Sequence, residues 1–325
     1  MKKIYVTNNT FTVDNSNFTL TKLSNYCKSG TGHIVLGDLN NDINDIIVKV
    51  VIKTFRKLDR DIMFREMTLN YQVVEKISNF ENKIMYYDDK NYFLIYEYLG
   101  ETLNEKYNLR KLTLKDKLSL FRDFVNKNYE LSKHLILHND IKPNNIVINT
   151  DSSNNNNIIM IDYGIAYFLS NDYQSNIDFD TTLWSASPEY YIYAKNRNKN
   201  NILNDTGASC EIKEMMIKSQ YYGIVGILIG FLLNDIFYHY RSIFKYIKTS
   251  DEDNMVIRFM KFTKENIKKY IDELEIKLME IEEIKDIEKI KEIIFNMLSY
   301  EYKNRYSYDE IINKLNNIID LIEVE

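Results

Sequence analysis

Up to Tyr98 the chain is written in short runs suited to strands. Phe18-Thr19-Leu20-Thr21-Lys22-Leu23 alternates apolar and polar residues, Ile34-Val35-Leu36 follows a glycine cluster, and Ile46-Ile47-Val48-Lys49-Val50-Val51-Ile52 is a β-branched run. Over residues 59–78 the period changes. Ile62, Met63, Met67, Leu69 and Val73 recur at roughly helical spacing and predict a helix. Tyr92-Phe93-Leu94-Ile95-Tyr96 predicts one more strand. After Leu99-Gly100 the character shifts, and residues 113–135, 211–239 and 264–298 predict long helices. Between them, Asn154 to Asn157 separate the apolar runs Ile146-Val147-Ile148 and Ile158-Ile159-Met160-Ile161. Asn tolerates left-handed turn geometry, so this stretch predicts a hairpin. The pattern is that of a β-rich part, 1–98, joined near 97–100 to a mostly helical part, 99–325.

Composition narrows what such a chain does. Hydrophobic residues at 45% and aromatic residues at 13% are enough for a sizeable core. Its 325 residues make one large or two modest domains. A net charge of −5 lacks the basic excess of a nucleic-acid binder. Cys27 and Cys210 are read as free thiols in a reducing compartment. The start, Met1-Lys2-Lys3-Ile4, leads into polar residues rather than a signal-peptide core, and the apolar stretch Tyr221 to Leu233 is too short to span a bilayer. These features predict a cytoplasmic protein with no membrane partner. Two prolines in a chain rich in Asn, Ile, Lys and Tyr suggest an AT-rich coding genome, that of a large virus or a microbe. If the source is viral, the expected compartment is the host cytoplasm.

The chemistry concentrates in His138-Asn139-Asp140-Ile141-Lys142-Pro143-Asn144-Asn145, followed by Asp162-Tyr163-Gly164. Asp140 can accept a proton from an attacking hydroxyl, and Lys142 can neutralise charge on a moving phosphoryl group. The amide oxygen of Asn145 and the carboxylate of Asp162 suit magnesium, a hard cation that prefers oxygen. This stretch resembles the catalytic loop and metal-binding motif of eukaryotic-type serine/threonine protein kinases. The resemblance covers roughly residues 15–320. It implies an α+β, bilobal protein kinase-like fold, with a small β-rich N-lobe carrying one main helix and a larger, mostly helical C-lobe.

The resemblance also assigns roles. Ser29-Gly30-Thr31-Gly32-His33-Ile34 is similar to the glycine-rich loop over ATP, with Ile34 covering the adenine. Taken alone, the same residues fit an ordinary hairpin. Lys49, in Ile47-Val48-Lys49, looks like the strand lysine that meets the phosphates, and Lys53 is its rival. Glu66 is the expected helix partner of that lysine, with Glu75 the rival. Tyr96, Glu97 and Leu99 match the joint that holds adenine, with Tyr96 as gatekeeper. His138 is structural. Thr182 matches a threonine that bonds the catalytic Asp and Lys. Ser187-Pro188-Glu189 resembles the end of an activation segment, where Glu189 is expected to pair with Arg305. The implied ligands are ATP, Mg2+ and a protein substrate, and the expected state is a monomer.

Several positions depart from the family pattern. Asn139 replaces an arginine that in many kinases pairs with a phosphorylated residue, so activity without activation-segment phosphorylation is expected. Tyr221 stands where an Asp normally supports the catalytic-loop backbone, so another donor–acceptor arrangement is required. Asn70 falls where an apolar residue is expected, four after Glu66. The joint and the strand containing Gly37 are faintly similar to the casein kinase-like branch. Two rival readings share the site: a small-molecule hydroxyl kinase of the choline or aminoglycoside type, whose loop also carries His-x-Asp, and a catalytically weak pseudokinase acting as a binding module. Lys142 and the stretch ending at Glu189 favour the protein kinase over the first. The joint presence of Lys49, Asp140, Asn145 and Asp162 weighs against the second.

Overall fold

The structure, a computed structural model, describes residues 1–14, 16–28, 32–41, 46–77, 82–103, 109–150, 156–169, 187–189, 210–248, 264–281 and 287–323. The chain divides into two compact units, Met1–Gly100 with Ile159–Gly164, and Glu101–Ile158 with Ile165–Glu325.

In the first unit the predicted strands form a seven-stranded sheet. Its strands are β1 (Lys2–Lys3), β2 (Thr10–Val13), β3 (Ser16–Lys28), β4 (Gly32–Asn41), β5 (Ile46–Phe55), β6 (Ile84–Asp88) and β7 (Phe93–Glu97), in the order β1-β6-β7-β5-β4-β3-β2. The predicted helix is α1 (Arg60–Lys76). Residues 1–14 precede the domain start expected near residue 15, yet they supply both edge strands. A flat seven-stranded sheet would separate those edges by about 29 Å, at roughly 4.8 Å per step. The link from Lys3 to Thr10 reaches at most about 24 Å. The sheet is therefore curled, and Phe11 of β2 meets Tyr86 of β6 with ring centroids 5.3 Å apart.

Strand alternation sorts the apolar residues onto two faces. Ile4, Phe11, Leu20, Leu39, Val50, Ile52, Phe93 and Ile95 fill the concave side. Phe55, Ile84, Leu94 and Tyr96 face the other way and pack on Met63 and Met67 of α1. Asp88 pins the sheet's border. It is fully buried and accepts hydrogen bonds from the backbone N–H of Val6, Lys90 and Asn91 and from the Asn91 amide. Burial raises its pKa, but these donors outweigh that and hold it below the usual carboxylate range.

The second unit is mostly helical. Among the described residues its helices are α2 (Leu114–Lys133), α3 (Cys210–Ser219), α4 (Tyr221–Leu233), α5 (Tyr238–Lys248), α6 (Lys264–Met279), α7 (Ile287–Met297) and α8 (Tyr308–Glu323). Thr113 starts α2 through a capping box with Asp116. The helix expected over 211–239 is broken at Gln220 and again at Asn234, whose left-handed conformation (φ 51°) ends α4. Every residue from Tyr221 to Leu232 is buried, as expected for a core helix. Close neighbours explain its glycines. A Cβ on Gly226 would lie 2.7 Å from the His239 ring, and one on Gly230 would lie 2.7 Å from the Ile236 backbone. The predicted hairpin strands are β9 (Ile146–Thr150) and β10 (Asn156–Met160), which pair with each other. The short strands β8 (Ile136–Leu137) and β11 (Tyr167–Phe168) also pair and flank the catalytic loop in sequence.

Candidate active site

In the first unit one buried lysine joins two carboxylates. Lys53 Nζ on β5 donates to Glu66 Oε2 on α1 at 2.7 Å and to Asp162 Oδ1 at 2.9 Å. Their side chains are 11%, 2% and 37% exposed respectively, so Asp162 is the end that meets solvent. Burial disfavours the ammonium charge. Asp162 and Glu66 more than compensate and raise the Lys53 pKa above its usual value. The backbone around Asp162 is shaped for this role. Asp162 itself has φ 63°, a conformation non-glycine residues seldom take, and Gly164 N–H donates to its Oδ1 at 3.4 Å. A Cβ on Gly164 would sit 3.0 Å from Glu66 Oε2, a tight approach that would press on that oxygen.

This arrangement corrects the choice of lysine. Lys49 is exposed and lies opposite Asp38 in the β4–β5 register. Both lysines are odd-numbered on β5 and point to the α1 side of the sheet, so alternation does not separate them. Four residues of strand put them about 13 Å apart, and α1 docks at the Lys53 end. Lys49 contributes only backbone to the joint: its carbonyl accepts from Tyr98 N–H at 3.0 Å. Of the two candidate glutamates, Glu66 is buried and Glu75 is exposed. Asn70, the unexpected polar residue, is buried with both ends of its amide satisfied. It donates to the Asn82 carbonyl at 2.7 Å and accepts from Ile84 N–H at 3.1 Å.

The remaining ATP-side candidates flank this cluster. Ile34 pairs directly opposite Lys53. Gly32 opens β4 opposite Phe55, and a Cβ there would collide with the Thr54 carbonyl oxygen. Close approach of the neighbouring strand therefore already demands that glycine. Ser29 and Gly30 lie outside the described residues. Tyr96 and Glu97 end β7, with Tyr96 buried and Glu97 exposed. Leu99 follows half-buried, and Gly100, at φ 130°, turns the chain in a conformation suited to glycine.

In the second unit the catalytic loop is held from within. Asp140 Oδ2 accepts from Lys142 Nζ at 2.7 Å and from the Asn145 amide at 2.7 Å, and that amide also donates to the Asp140 carbonyl at 2.9 Å. The Asn145 nitrogen is thus committed, which leaves its oxygen as the atom to offer a cation. His138 is buried, and its Nδ1 accepts from Asp140 N–H at 3.3 Å, so the neutral ring carries its proton on Nε2. Asn139 adopts φ 62°, which suits Asn better than Arg. Its backbone N–H donates to Gln220 Oε1 at 3.0 Å, and its Oδ1 accepts from Gln220 Nε2 at 3.1 Å. Gln220 is thus the support required by the tyrosine at 221. Tyr221 is buried in the core, its ring against Tyr308 at 5.1 Å. Sequence reasoning missed Gln220. Its signal was an amide side chain standing immediately before an unbroken apolar helix.

Farther along, Arg305 forms a two-pronged pair with Glu189, Nη1 to Oε1 at 2.6 Å and Nη2 to Oε2 at 3.1 Å. Its side chain is fully buried, and it also donates to the carbonyls of Ser299 and Lys218 at 2.9 Å each. The guanidinium stacks over the Tyr222 ring at 5.1 Å. Ser187 N–H donates to the Ser219 carbonyl at 3.3 Å. Thr182 lies outside the described residues.

Comparison with known proteins places the chain. The model of the protein kinase domain matches residues 29–315. Calcium-dependent protein kinase 4 of Plasmodium falciparum (isolate 3D7) and of Plasmodium berghei (strain Anka) are each 22% identical over 187 residues. Each match covers 51% of this chain and 35% of the relative, so the chain aligns with about a third of those curated proteins. With a domain match across most of its length, the chain belongs to the protein kinase family.

Proposed function

We propose that this protein kinase transfers the γ-phosphoryl group of ATP to Ser or Thr hydroxyls of a protein substrate, and that it does so without activation-segment phosphorylation. The observation that carries the reading is the Asp140–Lys142 contact at 2.7 Å, with Asn145 on the same carboxylate. Asp140 orients the substrate hydroxyl and accepts its proton as the oxygen attacks phosphorus. Lys142 balances charge on the group in transit, then stays beside the phosphorylated oxygen. Lys53, braced by Glu66, meets the non-transferred phosphates. Asp162 and Asn145 each offer oxygen to a hard cation. Magnesium takes one or two carboxylates and completes its shell with phosphate and water, which suits these two donors. When bound, magnesium neutralises charge on the phosphates.

Independence from phosphorylation is supported by Asn139. It lacks the charge that would seek a phosphate, and its side-chain amide is engaged by Gln220. On this reading the enzyme is a cytoplasmic monomer acting without nucleic-acid or membrane partners.

The test is transfer of labelled phosphate from ATP to generic basic and acidic proteins, beside Asp140→Asn. Label on serine and threonine that is lost in the variant and survives phosphatase pretreatment of the enzyme supports the proposal. Label on choline or an aminoglycoside alone overturns it. Nucleotide binding without any transfer leaves the pseudokinase as the better account, and loss of activity after phosphatase treatment rejects phosphorylation independence.

A further inference from the structure

Glu66 is held from two sides. Its Oε2 takes Lys53, and its Oε1 accepts from the Tyr96 hydroxyl at 2.6 Å. The three groups come from α1, β5 and the last turn-side residues of β7, and all are buried. The phenol remains a protonated donor because burial and the neighbouring carboxylate push its pKa well above 10. One helical turn onward, on the same face of α1, Asn70 is bonded to Asn82 and Ile84. The helix is thus fastened to the sheet by two buried polar ties four residues apart, at Glu66 and at Asn70. If α1 moved away, the Tyr96 hydroxyl, the Lys53 ammonium and both ends of the Asn70 amide would each lose a buried partner, which is far costlier than losing an exposed one.

We propose that Tyr96 is a positioning residue: its hydroxyl grips the second oxygen of Glu66 and keeps α1 seated, with the Lys53–Glu66 pair assembled, before nucleotide arrives. This deepens the proposed kinase function and rests on it. Tyr96 lies one residue before Glu97, so the strand that leads into the proposed adenine-binding joint also carries the clamp on the phosphate-binding lysine. The built-in tie explains how a kinase lacking the arginine at position 139 has its lysine–glutamate pair in place without phosphorylation.

The test is a double-mutant cycle between Tyr96→Phe, which removes only the hydroxyl, and Glu66→Ala. Two readouts are taken: kcat/KM for ATP, and hydrogen–deuterium exchange of α1 in the nucleotide-free protein. Breaking a buried hydrogen bond to a charged group is expected to shift the seating equilibrium on the order of tenfold. Tyr96→Phe alone should then lower kcat/KM for ATP about tenfold and speed α1 exchange to a similar degree, while α2 exchange stays unchanged. In the Glu66→Ala background, adding Tyr96→Phe should change either readout by less than about twofold. An equal effect of Tyr96→Phe in both backgrounds overturns the proposal, because the tyrosine would then act without Glu66. If the wild type transfers no phosphate, the proposed function fails, yet the exchange cycle still decides the role of Tyr96.

Discussion

Asn139 and Gln220 are joined amide to amide. Gln220 accepts from the Asn139 backbone N–H and donates to the Asn139 side-chain oxygen, at 3.0 and 3.1 Å, with both residues buried. The pair ties the catalytic loop to the start of α4 with no charge on either side, so the tie is indifferent to pH across the range in which carboxylates and histidines titrate.

That tie predicts the behaviour of Gln220→Leu. The variant leaves the Asn139 N–H buried without its acceptor, a cost of about 1–3 kcal/mol. Asp140 is the next residue, so kcat should fall at least about tenfold, while the KM for ATP changes little. Gln220→Glu keeps that acceptor but loses the donor to Asn139 Oδ1 and buries a charge, so it should be impaired as well. Steady-state kinetics beside a urea melt separate the two effects.

Lys53 and Lys49 should behave oppositely. Lys53→Met strips Glu66 and Asp162 of their shared cation, and phosphoryl transfer should drop on the order of a hundredfold or more. Lys49→Met alters an exposed side chain and should remain within about twofold of the wild type. Parallel rate measurements with labelled ATP check this. Full activity in Lys53→Met would remove that lysine from the site.

Arg305 should matter chiefly for stability. Arg305→Ala leaves Glu189 without its cation and the Ser299 and Lys218 carbonyls without that donor, and breaking a buried pair from one side costs about 3–5 kcal/mol. Arg305→Lys supplies charge without the two-pronged geometry and should recover only part of that. Denaturant unfolding measures both.

His239 makes stability depend on pH. It is buried, its Nδ1 lies 2.7 Å from the Tyr270 hydroxyl, and burial pushes its pKa down to about 3. In the unfolded chain the ring titrates near 6.5. Between those values the unfolded state takes up a proton that the folded state refuses. The stabilisation is therefore complete above about pH 6.5 and is lost as the pH falls toward 3, with a slope of up to about 1.4 kcal/mol per pH unit. His239→Phe should flatten that part of the stability–pH curve. An unchanged slope would show that other groups set it.

Phe11 tests the residues that precede the kinase-domain match. It is 4% exposed and stacks on Phe18 at 5.4 Å. Phe11→Ala should cost about 3–5 kcal/mol, measurable by thermal or urea unfolding. A loss below about 1 kcal/mol would mean that the edge strand is dispensable.

Much of this protein is legible in its amino-acid sequence. Period-two runs became β3, β4, β5 and β7, and the helical run over 59–78 became α1, because alternation and the 3.6-residue repeat are local consequences of backbone geometry. The catalytic loop was legible for the same reason: Asp140, Lys142 and Asn145 lie within six residues, so their mutual contacts need little beyond the loop's own turn. The Glu189–Arg305 pair was found over a long separation because both ends sit in recognisable motifs.

Other features depended on how distant elements dock. Lys49 and Lys53 share a strand face, and only the position of α1 along that face chose Lys53. Gln220 and Asn139 are 81 residues apart, and neither has a neighbour in sequence that announces the other. The first fourteen residues lie ahead of the span that resembles the family, yet curling of the sheet brings Phe11 onto Tyr86 and buries it. The amino-acid sequence by itself determined the element types and the compact grouping of Asp140, Lys142 and Asn145, since both follow from local spacing. The tertiary structure alone decided which lysine meets Glu66, what supports the catalytic loop and that the first residues join the sheet, because those depend on the packing of segments far apart along the chain.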